Sequence, residues 1–157
     1  MNRTIRVIEK QLNLTFNKPE LIQQAFRHTS YANEQARRHL PHYERLEFLG
    51  DAVLELVSSE FFYGVYPDKP EGELTKIRAS FVCEPALVDC AKNIRLSEFI
   101  KLGKGEEHTG GRFRPSIISD TFEAVIGSIY LDGGFANAKE FIHKFLLDNI
   151  NTETFFF

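Results

Sequence analysis

One segment limits the possible folds more than any other. Residues 116–131 are long enough for a helix, and the run Asp120-Thr121-Phe122-Glu123-Ala124-Val125-Ile126-Gly127-Ser128-Ile129-Tyr130-Leu131 is apolar almost all round. A helix without a polar face has to lie inside a domain. This one nevertheless carries Asp120 and Glu123, one turn apart. A buried carboxylate is costly unless it is protonated, paired or bound to a metal. Ala124 and Gly127 follow on the same stripe and are small enough to let a second helix come close. The chain therefore has to supply a neighbour that both packs against this helix and answers its acids.

The natural neighbour is the longest helical stretch, residues 43–63. On a helical wheel Glu44, Glu47, Asp51 and Glu55 fall within an arc of about 80°. Leu46, Leu49, Ala52, Val53, Leu56 and Val57 take the other side. One reading is a solvated acidic face. Like charges one turn apart repel, however, and no lysine or arginine on this stripe relieves them, since Arg45 points elsewhere. With Gly50 easing the approach, Glu47 and Asp51 would face Asp120 and Glu123. Such a convergence calls either for lysine or arginine partners or for a cation. Oxygen-only ligation favours a hard ion, Mg²⁺ first with Mn²⁺ as a substitute, and the lack of a Cys or His cluster disfavours zinc. No P-loop and no G-x-S-x-G elbow is present, and no organic cofactor is expected. Phe48 sits at the edge of the acidic stripe, either packed under the preceding polar loop or standing out as an anchor for a partner chain.

The remaining segments fit an all-α fold. Ile5, Ile8 and Leu12 recur at helical spacing over residues 4–13, and Pro19 is well placed to open a second helix. Residues 28–42 are polar and aperiodic and read as a loop. Residues 66–72 are dense in turn formers, short helices are expected at 73–81 and 84–93, and 102–111 reads as a flexible, partly basic glycine loop. An amphipathic helix is expected at 136–150. No stretch alternates with period two. The expectation is a single domain over residues 1–151, with 152–157 a C-terminal tail left by truncation. A chain of 157 residues buries enough apolar surface to fold without disulfides. On one helix, Cys83 and Cys90 would be separated by about 10 Å of rise, too far for a bridge, which fits a reducing compartment. No apolar run approaches the ~20 residues of a membrane span and no secretory signal opens the chain, so the cytoplasm is the expected location and no membrane partner is expected. With 19 Lys and Arg against 22 Asp and Glu, the net charge is −3. Proteins that hold nucleic acid by bulk charge are basic, so a nucleic-acid partner would have to be met by local basic patches and bound cations.

Four stretches carry a resemblance. Glu44-Arg45-Leu46-Glu47-Phe48-Leu49-Gly50-Asp51-Ala52-Val53-Leu54 is similar to the signature of the ribonuclease III family. His28-Thr29-Ser30-Tyr31-Ala32-Asn33-Glu34, Pro70-Glu71-Gly72-Glu73-Leu74-Thr75 and Ser119-Asp120-Thr121-Phe122-Glu123-Ala124 resemble further family segments, in the same order over essentially the whole chain. The resemblance implies an all-α, homodimeric endonuclease domain that cuts double-stranded RNA with Mg²⁺ during rRNA, mRNA and small-RNA processing. The products would carry 5′-phosphate and 3′-hydroxyl ends with a short 3′ overhang. It implies that Glu47, Asp51, Asp120 and Glu123 form the metal cluster, with Asp51 and Glu123 closest to the chemistry. Glu44 and Glu71 would be further acids of the catalytic valley, and Phe48 a knob that plugs into the partner subunit. Bacterial members usually continue into a double-stranded-RNA-binding domain, and this sequence ends where that would begin. Under this reading Arg37, Arg38, Lys101, Lys104, Arg112 and Arg114 are candidate RNA contacts. Two other classes stand beside it: a binding module for duplex RNA or ribonucleoprotein that does not cut, and a di-iron bundle built on Glu140-Phe141-Ile142-His143. The second needs its Glu-x-x-His motif twice, and the sequence has it once.

Overall fold

Two glycines decide the architecture. In the computed structural model, which describes residues 3–152, helix α4 (Glu44–Val65) crosses helix α8 (Pro115–Gly133) where Gly50 meets Gly127. A Cβ on Gly50 would lie 1.7 Å from the backbone oxygen of Glu123, and one on Gly127 would lie 2.2 Å from that of Leu46. The two backbones are in direct contact, a separation that any side chain would prevent. Pro115 starts α8 in the first turn, where its missing N–H costs nothing. Gly134, at φ +90°, ends it in a conformation other residues rarely adopt. Between these ends Phe122, Ala124, Val125 and Ile126 are fully enclosed, as a helix apolar all round requires.

The other helices cover this pair. Helices α1 (Arg3–Leu12), α2 (Pro19–Ala25), α6 (Glu84–Asn93) and α9 (Phe135–Phe145) turn their apolar stripes inward and join one continuous core. Helix α5 (Glu71–Phe81) packs against α4 and buries only Ile77. Among the described residues there is no strand beyond a single bridge between Arg27 and Lys101, so the all-α expectation holds. Cys83 precedes α6 and Cys90 is buried within it, and both are free thiols. No described helix is long and apolar enough to cross a membrane.

Two expected loops are ordered instead. Residues 28–42 contain helix α3 (Thr29–Glu34) and a 3₁₀ turn at Ala36–Arg38. His28 caps α3, its Nδ1 accepting from the Ser30 N–H at 3.1 Å. The glycine-rich stretch contains α7 (Lys104–His108) and a 3₁₀ turn at Gly111–Phe113. These short helices hold each other: the Gly103 N–H donates to Ser30 Oγ at 2.8 Å and the Lys104 N–H to the Glu34 carboxylate. Two helix ends also shift. Helix α5 starts at Glu71 rather than 73, directly after Pro70, and the last long helix stops at Phe145, followed by a 3₁₀ turn at Leu147–Asn149. Of the expected tail, residues 153–157, with Phe155, Phe156 and Phe157, lie outside the described residues.

Candidate active site

The crossing of α4 and α8 also assembles the acids. Glu47 lies one turn before Gly50, and Asp120 and Glu123 lie two turns and one turn before Gly127, so closing the glycine contact brings the carboxylates together. Glu47, Asp120 and Glu123 each offer a carboxylate oxygen, and these oxygens lie within 4.8 Å of one another, all half-buried. Asp51, one turn further along α4 and exposed, shares a hydrogen bond with Glu123. Among the described residues no lysine or arginine forms an ion pair with any of these four. The alternative of structural ion pairs therefore falls.

Burial first, and then the unrelieved charge of the neighbouring acids, shifts the titration of the site. Burial pushes the Glu123 carboxyl up to about 9, helped by the hydrogen bond with Asp51 and by the charges of Asp51, Glu47 and Asp120. Glu47 is raised by burial, then by Asp120, Asp51 and Glu44. Asp120 is raised by burial, then by Glu84 at the start of α6. Just before α4, the Tyr43 phenol is pushed up to about 12 by burial, then by Asp120, Glu44, Glu47 and Glu106. All four shifts disfavour negative charge. A bound proton or a cation would each offset the crowding of these acids. An all-oxygen donor set fits a hard divalent ion, and no thiol or imidazole belongs to the group.

The remaining candidates lie around this centre. Glu44 is exposed on the first turn of α4. Glu71 is exposed at the start of α5, its Oε1 accepting from Thr75 Oγ1 at 3.2 Å, and it is not part of the close group of three. Phe48 is 79% exposed, so the preceding loop does not cover it. Beside it an apolar cavity of about 590 Å³ opens between Leu21, Leu46, Leu49 and Leu131. The acidic stripe is relieved at one point that the sequence reading did not foresee: Arg78 of α5 reaches Glu55 at 3.3 Å, because the turn after α4 folds α5 back along it.

The six candidate cations differ in what engages them. Arg37, Arg38 and Lys104 have exposed side chains, and the exposed Lys101 ammonium lies over the Tyr31 ring at 5.7 Å. Arg112 donates to Glu107 through Nε and Nη2 and to the Ser97 carbonyl through Nη1 at 2.7 Å. Arg114 is paired with Glu106. These last two would meet a phosphate only by giving up their carboxylates. His143 lies against the Phe61 ring and 3.7 Å from Asp148, and among the described residues neither it nor Glu140 joins a metal-binding group, which removes the di-iron alternative. Sequence reasoning missed Glu84, Arg78 and the stacking of His28 on Tyr43 at 5.5 Å that precedes α4.

The family model described as Ribonuclease-III-like matches residues 18–150. This chain belongs to the ribonuclease III family. Its likeness extends to "Ribonuclease 3" of Oceanobacillus iheyensis, 47% identical over 151 residues, covering 96% of this chain and 66% of the relative. "Ribonuclease 3" of Staphylococcus saprophyticus is 51% identical over 144 residues, covering 92% of this chain and 59% of its own length. The chain thus spans a little under two thirds of the curated relatives it matches. Among solved structures, a nuclease domain of ribonuclease III from Campylobacter jejuni, studied for flexibility in a region involved in dimer formation, superposes with a TM-score of 0.85. It is 37% identical, and the match covers 93% of this chain and 98% of that one. Dicer from Giardia intestinalis matches with a TM-score of 0.68 at 24% identity, over 94% of this chain and 19% of its own, which shows a shared fold. The ribonuclease III family signature quoted above thus coincides with the helix crossing that builds the acidic site.

Proposed function

We propose that this chain is the endonuclease domain of a ribonuclease III that hydrolyses phosphodiester bonds of double-stranded RNA with Mg²⁺, in the cytoplasm, as a homodimer. Products would carry 5′-phosphate and 3′-hydroxyl ends with a short 3′ overhang. The observation that carries this reading is the close group of Glu47, Asp120 and Glu123 with Asp51 bonded to its edge, in a family whose curated relatives are named as ribonucleases.

Glu47, Asp51, Asp120 and Glu123 would hold the ion. When bound, Mg²⁺, or Mn²⁺ in its place, supplies activation of water and neutralisation of charge at the phosphate. The chain's own residues do the rest. The backbone contact at Gly50 and Gly127 fixes the carboxylates before substrate arrives, so little reorganisation is left for the reaction. Glu123 must give up its proton for the site to load, and Asp51 already holds it by a hydrogen bond. Glu44 and Glu71, exposed on either side, would assist RNA engagement. Arg37, Arg38, Lys101 and Lys104 would meet backbone phosphates, with Arg112 and Arg114 doing so only if released from Glu107 and Glu106. An A-form duplex is read by shape, phosphate and 2′-hydroxyl contacts, so sequence preference should be weak. Phe48 would enter the apolar cavity beside Leu49 and Leu131 on a second copy, each subunit supplying one knob and one socket as a two-fold interface requires.

The test is a long, end-labelled RNA duplex in low salt, with Mg²⁺ or with EDTA, and single-stranded RNA as control. Cutting of the duplex alone, only with Mg²⁺ and into short products with 5′-phosphates, is the expected result. Binding of the duplex without any cut would replace this reading with the binding-only one.

A further inference from the structure

Helix α5 carries Glu71, and its apolar packing lies on one side, where Leu74 and Phe81 join Ile77 against the core and Phe81 stacks on Phe62 of α4 at 5.8 Å. Ile77 is its one buried residue, and Glu71, Gly72, Thr75, Lys76, Ala79 and Ser80 are all exposed. Between α5 and α4 the structure leaves a cavity of about 290 Å³, walled by Asp51, Leu54 and Glu55 on α4 and by Thr75, Arg78 and Ala79 on α5. Along this side, which faces Asp51, close side-chain packing does not set the distance between the two helices. Something else has to span the gap.

Arg78 spans it. Its Nη1 donates to Ser59 Oγ at 2.7 Å and its Nη2 lies 3.3 Å from Glu55 Oε1. Both partners are on α4, one turn apart, so the planar guanidinium grips the neighbouring helix at two points, a geometry that lysine cannot reproduce. Two turns before Arg78 along α5 stands Glu71, and between them Thr75 holds the Glu71 carboxylate. The cavity that the arginine bridges has Asp51 on its opposite wall.

We infer that Arg78 is a positioning residue: it fixes α5 at its distance from α4 and thereby holds Glu71 in place relative to Asp51 and the acidic centre. Its pairing with Glu55 also gives that acid, one turn beyond Asp51, its own counter-ion and leaves the metal cluster to the other four carboxylates. The inference rests on the nuclease reading above, in which Glu71 assists cleavage.

Two measurements test it, and only one needs RNA. In the first, duplex cleavage is compared for the unmodified chain, Arg78→Ala, Glu71→Gln and the double variant. Displacing a group by about 1 Å can cost about 100-fold, so Arg78→Ala is expected to lower kcat about 10- to 100-fold. Arg78→Lys should restore part of that loss at most. Because Arg78 acts through Glu71, the double variant should be no slower than Glu71→Gln alone, whereas multiplied losses would overturn the inference. In the second, backbone hydrogen exchange is followed in the metal-free protein. Arg78→Ala should speed exchange across residues 71–81 by about tenfold or more and leave α8 protected. Unchanged exchange in α5 would overturn the inference even if activity fell. An unmodified chain that cuts nothing would refute the nuclease reading, and the exchange measurement separates that failure from a failure of the Arg78 strut.

Discussion

Glu123 takes its character from its burial first and from its acidic neighbours second. Without a cation it holds a proton to about pH 9, while in the unfolded chain it loses it in the ordinary glutamate range. Between those two values the folded state binds one more proton than the unfolded state. Folding stability therefore falls as pH rises through that window, by at most about 1.4 kcal/mol per pH unit from this group, and levels off above it. Glu47 and Asp120 are shifted in the same direction and steepen the fall. Melting curves in EDTA from pH 5 to pH 9 should show this slope in the unmodified protein and a clearly shallower one in Glu123→Gln, which has no proton to lose. Equal slopes would mean that Glu123 is not the proton store of the site. The same substitution should abolish duplex cleavage while leaving RNA binding and the fold largely intact.

At the scale of elements, the site is as strong as the contact between α4 and α8. Adding one methyl at Gly50 places it against the backbone of Glu123, which cannot move aside without separating the helices. Gly50→Ala should therefore cost about 3 kcal/mol or more, as severe overpacking does. Gly64, on the same helix, has open space where its Cβ would be, so Gly64→Ala should stabilise by about 0.5–1 kcal/mol. Chemical denaturation of the two variants checks both signs at once. This crossing was legible in the sequence, because two long helices with acids and glycines at matching spacing leave few ways to pack. Helices α3 and α7 were not legible. They have six and five residues, too few to show a period, and bonds between segments about 70 residues apart hold them in place. The Arg78–Glu55 pair was hidden for a related reason, since it depends on where the turn at 66–70 directs α5.

For the whole molecule, the proposed reaction on a polyanion would ask an acidic chain for cations in its valley and basic residues at its rim. The exposed surface also carries a large aromatic side chain beside an apolar cavity, and a second copy of the chain offers the same pair in reverse. Phe48→Ala should weaken self-association by tenfold or more, the equivalent of an interface residue worth about 2 kcal/mol. Sedimentation at micromolar concentration measures this, and an unchanged dimer would remove Phe48 from the interface. The fold class and the acidic pair of helices followed from periodicity and from the family resemblance. The pairing of Glu55 with Arg78 and of Arg112 with Glu107 did not, because they depend on contacts between elements that no local pattern records.

Under the proposed function, Glu47, Asp51, Asp120 and Glu123 make one cation site. Titrating Mn²⁺ into the protein, with free ion followed by its electron paramagnetic resonance signal, tests this without any RNA. The unmodified chain should take up Mn²⁺, more tightly at pH 8 than at pH 6 because loading displaces the Glu123 proton, and Glu123→Gln should take up far less. Equal uptake by the two proteins, or uptake indifferent to pH, would mean that these four carboxylates do not form one cation site.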